Sequence, residues 1–196
     1  MTAALQRIAS RLLAERESAP TRAATFEAFA AHCRIKTKSE GIIMFEPALW
    51  FEEQRRFNRE RTGRDIILKC RQNGTTTAEA LRGLYESGTR TSWNTVIVGH
   101  DRNLILETFD IVHFAATGMP GQLPAFAQDT VRQIRFEGIG SQISVTEAGA
   151  TERSASKKGH SGTIHRLHCT EVARWSEPEA SLTGLPRRTP YEYLDA

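Results

Sequence analysis

The sequence predicts an α/β fold: a mostly parallel sheet flanked by helices, with a helical lead-in at the N-terminus. Three observations predict it. Short apolar runs with β-branched members, at residues 65–69, 94–100 and 163–169, have the length of buried strands. Ala- and Leu-rich stretches with helical spacing lie between them. Strands that alternate with helices pair in parallel and need cover on both faces. The 196 residues suffice for one such domain with a sizeable core. A content of 39% hydrophobic and 25% charged residues fits a soluble globular chain. The formal net charge of +3 points only weakly to nucleic acid.

Taken in order, Leu5, Ile8, Leu12 and Leu13 have helical spacing, and Pro20 ends that helix. Thr25 caps a second short helix through about His32. Residues 1–38 thus read as the lead-in, 39–180 as the main domain and 181–196 as an irregular tail. Pro47 opens a helix over about 46–62, with Leu49, Trp50, Gln54 and Phe57 near one face. Residues 65–69 are the first strong strand. A helix runs from Thr76 to Tyr85 and closes at Gly88. Residues 94–100 form a second buried strand, and Asp101 N-caps a helix through Phe114. Residues 117–125 are a loop. Residues 131–136 and 142–146 form a hairpin around Gly138-Ile-Gly140. Residues 149–162 are rich in Gly, Ser, Ala and Lys and read as exposed. Thr163–Cys169 is a strand with Thr170 and Glu171 at its C-terminal end.

Several function classes are disfavoured. No apolar run approaches the roughly 20 residues that span a bilayer. Arg7, Arg11 and Arg16 among Ala and Leu do not make a signal peptide. Cys33, Cys70 and Cys169 are scattered and form no CxxC pair, which argues against zinc and for a reduced cytosolic setting. His165 and His168 are three apart on a strand and fall on opposite faces, so they do not suggest a metal site.

The chemistry centres on Lys69-Cys-Arg-Gln-Asn-Gly-Thr-Thr-Thr77. Strand, Gly-containing turn and helix start make a cradle for a nucleotide triphosphate, because loop N–H groups and the positive helix end both face anionic oxygens. Gly74 permits close backbone approach. Lys69 supplies a cation from the loop's leading end, since Thr75 stands where a Walker A lysine is usual. Arg71 reaches toward the outer phosphate. Gln72, Asn73 and Thr75 complete the loop. Thr76 stands where a Mg²⁺-binding hydroxyl belongs, with Thr77 the next candidate. The alternative is a plain strand–turn–helix with a Thr cap and solvated Lys69 and Arg71. Glu171, at the C-terminal end of a strand, lies where ligands bind in open α/β sheets. It is a candidate to position a water against the γ-phosphate, or simply an exposed Glu. The amide of Gln54 can both donate to and accept from adenine, with Trp50 or Phe51 stacking nearby, or it faces solvent.

These elements, in this order, resemble the ATPase domain of the terminase large subunit of tailed bacteriophages, over roughly Phe26 to Trp175. That family commonly has a Lys-x-Arg-Gln-x-Gly-x-Ser/Thr-Thr loop, a Gln motif before it and a His-x-Ser/Asp-Glu-x-Ala-x-Trp motif after it. The counterparts here are Lys69–Thr77, Gln54 and His168-Cys-Thr-Glu-Val-Ala-Arg-Trp175. Lys158-Gly159 fits the family's basic segment before the second motif. The resemblance implies a P-loop NTPase of the RecA/ASCE type that binds ATP and Mg²⁺, with Glu171, Lys69 and Arg71 catalytic. It implies double-stranded DNA, a portal protein and a small subunit as partners, a homo-oligomeric ring, no membrane, and the host cytoplasm as location. Two departures stand out. Thr170 occupies the usual Walker B aspartate position, so the metal would rest on Thr76, Thr170, phosphates and water. The tail after Trp175 does not resemble the family's coupling motif and nuclease domain; a truncated or a frameshifted prophage gene would each give such a tail. A catalytically impaired remnant that binds nucleotide or DNA, and another DNA translocase or helicase ATPase, remain open alternatives.

Overall fold

The structure, a computed structural model, describes residues 23, 25–37, 39–69, 73–119, 121–148 and 163–172. Helix α1 (Phe26–Ala30) starts where Thr25 accepts the Ala28 N–H at 3.2 Å, the expected cap. Strands β1 (Arg34–Thr37) and β2 (Gly41–Met44) form a small antiparallel hairpin that the sequence reading did not anticipate. The predicted 46–62 helix is broken in two. A 3₁₀ turn spans Pro47–Leu49, and α2 covers Glu52–Glu60. Trp50 and Phe51 between them are extended. Helix α3 (Thr75–Thr89) is longer than predicted, and Gly88 lies inside its last turn. Strand β3 (Asn94–Gly99) follows. Asp101 then caps α4 (Arg102–Thr117), accepting from the N–H groups of Asn103 and Leu104 at 2.8 and 3.0 Å.

The remaining strands are β4 (Phe126–Thr130), β5 (Gln133–Phe136), β6 (Gln142–Glu147) and β7 (Arg166–Cys169). Gly138 and Gly140 have φ of +75° and +66° between β5 and β6, where the hairpin turn was expected. The main sheet has the order β4-β5-β6-β3-β7. Strand β3 pairs parallel with both β6 and β7, while β4, β5 and β6 pair antiparallel. The fold is therefore α/β with a mixed sheet, parallel only around β3, rather than mostly parallel. The short β5–β6 turn enforces this, because a tight turn can join only antiparallel neighbours.

Burial alternates along β3. Thr95 and Ile97 are fully buried, as are Ile134 and Ile143 on neighbouring strands. Ile97, Ile134 and Ile143 pack with Leu81 and Leu84 of α3 and Phe109 and Val112 of α4 into one core, which also takes in Phe26, Phe29 and Ala30 of α1. Val96 and Val98 on the other face are half-buried and stand outside that core. The expectation of helices on both faces is corrected accordingly: among the described residues the helices cover one face. Cys33 belongs to the core, and burial pushes its thiol up to about 12, so it stays protonated and inert. No helix among the described residues is long and apolar enough to cross a membrane.

Residues 65–69 are the main departure from expectation. They form no strand and join no sheet. Ile66 and Leu68 are 101% and 102% exposed, so the apolar run packs on nothing described. Ile67, at 38% the least exposed of the three, lines with Ile66 and Leu68 an open groove of about 510 Å³ against Phe57 and Glu60 of α2.

Candidate functional site

The first turn of α3 is placed by what lies under the rest of the helix. Gly83 sits over β3 and β6: a Cβ there would stand 3.0 Å from Thr95 Cγ2 and 3.3 Å from Ile143 Cδ1. One turn later, the Ser87 hydroxyl is 2.8 Å from Thr95 Oγ1 and 3.1 Å from the Gln142 carbonyl. The helix thus runs antiparallel to β3. Thr75 lies about 12 Å of helix before Gly83, and Gly99 lies about 13 Å of strand beyond Thr95. The α3 N-terminus therefore overlies the C-terminal ends of β3 and β7, the end of a parallel sheet where ligands bind.

Gly74 opens that helix in the left-handed region, at φ +68°. The Asn73 side chain accepts from the Thr75 N–H at 3.2 Å and from its hydroxyl at 2.9 Å. Thr75 is buried with its hydroxyl committed, so Thr76 and Thr77, both half-buried, are the threonines left at the helix start. Cys70, Arg71 and Gln72 lie outside the described residues, as do Lys158, Gly159 and Trp175. Lys69 is exposed and forms no ion pair among the described residues.

Gln54 is brought to this loop. It is 5% exposed, its Oε1 accepts the Phe51 N–H at 2.9 Å, and its Nε2 fills the space a Cβ on Gly74 would need. Trp50 is a core residue and unavailable for stacking on a base. It packs on Phe45 and Phe26 at 5.2 and 5.6 Å between centroids and donates to the Phe45 carbonyl at 3.2 Å. Phe51 stays 55% exposed.

Strand β7 is locked beneath α3 by charge. Arg166 pairs with Glu79, and with Glu86 at 3.2 Å, while Arg61 reaches Glu79 at 3.6 Å. Arg82 donates to Asn58 and lies 3.9 Å over the Phe26 ring. Burial and the neighbouring charge of Arg61 bring the Arg82 guanidinium down to about 10. The parallel register sets His168 opposite Ile97, on the face that Arg166 and α3 share. Its Nδ1 is buried without a hydrogen-bond partner. Burial, with the charges of Arg166 and Lys69 nearby, drives the imidazole down to about 4, so it is neutral at pH 7.

Beyond the strand, Thr170 is buried and donates its N–H to the Val98 carbonyl at 2.8 Å. Its methyl lies close to Gly99, where a Cβ would stand 3.1 Å away. Glu171 is turned out of strand geometry by a φ of +54°. A left-handed non-glycine residue costs about 1–2 kcal/mol, and such strain often marks a functional position. The turn brings Glu171 Oε2 to 3.9 Å from His100 Nδ1, at the end of the neighbouring β3. Neither His100 nor a role for His168 was read from the sequence. The available signals were that each sits at or next to the C-terminal end of a predicted strand and that His168 opens the His168–Trp175 motif.

The arrangement gathers a helix N-terminus, a left-handed glycine, two half-buried threonines, a strained carboxylate and a nearby lysine at one sheet end. Such a set can hold an anion and place a base beside it. No protein-family model matches the chain, and no curated protein is significantly similar to it.

Proposed function

We propose that the chain is an ATP-hydrolysing motor domain of the terminase large-subunit type, a P-loop NTPase that acts on double-stranded DNA. The observation that carries this reading is the first turn of α3, opened by Gly74 at φ +68°, lying over the strand end that delivers Glu171. The fit to a phosphate is local. Gly74 gives a bend without a Cβ, and the N–H groups of the first helical turn have no intrahelical acceptors.

Mg·ATP would supply the phosphoryl group and the cation that offsets its charge. The chain's own residues do the rest. Lys69, with Arg71 beside it in sequence, neutralises the outer phosphates. The hydroxyl of Thr76 serves the metal, with Thr170 in the place of the usual aspartate. Glu171 orients the attacking water and accepts its proton. Gln54 backs the glycine bend instead of reading the base. Duplex DNA, a portal protein, a small subunit and a ring of like chains complete the proposed setting in the host cytoplasm.

The test is phosphate release from Mg·ATP with and without linear duplex DNA. DNA-stimulated release that disappears in Glu171→Gln supports the reading. A wild-type chain that neither binds Mg·ATP by calorimetry nor releases phosphate overturns it. One observation favours a second reading, a remnant that binds nucleotide without turning it over. Residues 65–69 lead directly to the loop and stand outside the sheet, which leaves Lys69 without a rigid support. Calorimetric binding with no phosphate release selects that reading.

A further inference from the structure

The face of the main sheet turned away from the helices carries an apolar patch on one side only. Val96 and Val98 of β3 stand beside Leu167 and Cys169 of β7 in the parallel register, and residues paired across neighbouring strands share a face. On the β6 side the same two valines stand beside Ser144 and Thr146. The patch therefore centres on β3 and the edge strand β7, where Leu167 is 47% exposed. Parallel strands are normally covered on both faces, and no helix among the described residues covers this one.

Three stretches of more than ten residues lie outside the described residues, and two of them do not suit the patch. Residues 1–22 join the chain at Ala23, which packs on the core of the opposite face. Residues 149–162 contain no aromatic residue and no Leu, Ile, Val or Met. Residues 173–196 follow closely on β7 and contain Trp175, Leu182, Leu185, Tyr191, Tyr193 and Leu194. Glu171, at φ +54°, already turns the chain out of the strand direction. Val172 lies three residues beyond Cys169, and Trp175 three residues beyond Val172. A chain that doubles back there lays the indole beside Cys169 and Val98. We propose that the C-terminal segment from Ala173 onward covers this face, with Trp175 as its anchor. An indole suits the place. A Trp side chain buries roughly 150–250 Å², and Thr146, one strand beyond Val98, offers a hydroxyl to its N–H. The cover holds β7 from the side opposite the Glu79–Arg166 pair, whether or not the sheet end binds nucleotide.

The experiment looks for nuclear Overhauser contacts in the full chain labelled with ¹³C-methyl Val and Leu. Val98→Ile and Leu167→Ile identify the methyl signals, and Trp175→Phe identifies the indole, one of three in the chain. We expect contacts from the Trp175 ring to the methyls of Val98 and Leu167, and an upfield ring shift of the Val98 methyls that Trp175→Ser abolishes. Alkylation of Cys169, mapped by mass spectrometry, should rise about tenfold in Trp175→Ser as the face opens. Absence of the ring contacts in the parent chain overturns the proposal, and that result stands even if Trp175→Ser does not fold. Contacts that appear only between labelled and unlabelled chains in a mixed sample put a second copy on the face and overturn it too. An unchanged Cys169 rate in a folded Trp175→Ser chain does the same.

Discussion

Arg166 of β7 and Glu79 of α3, 87 residues apart in sequence, form a buried ion pair in which each side chain is about 10% exposed. The pair holds the strand that ends at Glu171 under the helix that begins at Gly74. Isolated surface pairs contribute little, whereas this one has lost its water. Stranding a buried charge typically costs about 3–5 kcal/mol, but Glu86 still holds Arg166 when Glu79 is removed. Glu79→Gln should therefore destabilise the fold by up to about 3 kcal/mol in urea unfolding, because it leaves Arg61 without its carboxylate and beside Arg166. Exchanging Glu79 and Arg166 together for leucine and methionine should cost clearly less. Equal losses in the single and double variants would mean that the pair is not desolvated in solution.

A second prediction concerns Gly74. Its φ of +68° already disfavours any side chain, and a Cβ there would run into Gln54 Nε2. Gly74→Ala should cost about 1–2 kcal/mol for the left-handed backbone alone, with a steric share on top. Gln54→Ala in the same chain should return the steric share and leave the backbone share. A double-mutant cycle by thermal unfolding separates them. Strict additivity would show that Gln54 does not abut the bend.

How far the fold was legible follows from how local each signal is. The β3 run Asn94-Thr-Val-Ile-Val-Gly99, the Asp101 cap and the Gly138–Gly140 turn each specify their geometry within a few residues, and each is found. Ile66-Ile-Leu68 has the same local preference for a strand as β3. Strand propensity, however, expresses how well a side chain fits neighbours, and no described strand pairs with this segment. Trp50 had the spacing of a ligand-facing aromatic, and only the positions of Phe26 and Phe45 make it core. For the candidate site, the glycine bend and the strand-end glutamate were readable from motif order. The Glu79–Arg166 lock and the orphaned His168 were not, since both depend on β7 pairing with β3 at a given register.

The position of 65–69 makes a sharp test. Side chains that are 101% and 102% exposed contribute no burial. Replacing Ile66 and Leu68 together by serine should change stability by no more than about 0.5 kcal/mol. The same change in a buried strand would cost several kcal/mol. A large drop in melting temperature would place the segment in a packed strand after all.

The pH dependence of stability has a defined sign. His168 titrates near 4 in the folded chain, because burial and the charges of Arg166 and Lys69 oppose its protonation. Unfolded, it titrates near 6.5. Between those values the unfolded chain binds the extra proton, so stability is complete above about pH 6.5 and is lost as the pH falls toward 4. The loss amounts to roughly 3 kcal/mol at most. Urea unfolding from pH 7 to 4 should show this slope, and His168→Asn should remove most of it. An unchanged slope in His168→Asn would assign the loss to other groups.

The sharpest functional prediction is the pair Lys69→Ala and Glu171→Gln. Both residues are assigned to charge that develops during phosphoryl transfer, and losing one such preorganised group typically lowers turnover by about 10²–10³. Their signatures differ. Lys69→Ala should weaken Mg·ATP binding as well as turnover, because its charge acts on phosphates already present in the bound nucleotide. Glu171→Gln should bind Mg·ATP at least as well as the parent chain, because an amide keeps the size and hydrogen-bonding reach while losing the ability to take a proton. Calorimetry beside a phosphate-release assay distinguishes the two. The left-handed backbone at Glu171 survives the change, since Gln has the same Cβ and the same turn to make. Near-parent turnover in Glu171→Gln would remove the carboxylate from the chemistry and leave its strained backbone and its side-chain approach to His100 Nδ1, at 3.9 Å, as structural features of the sheet end.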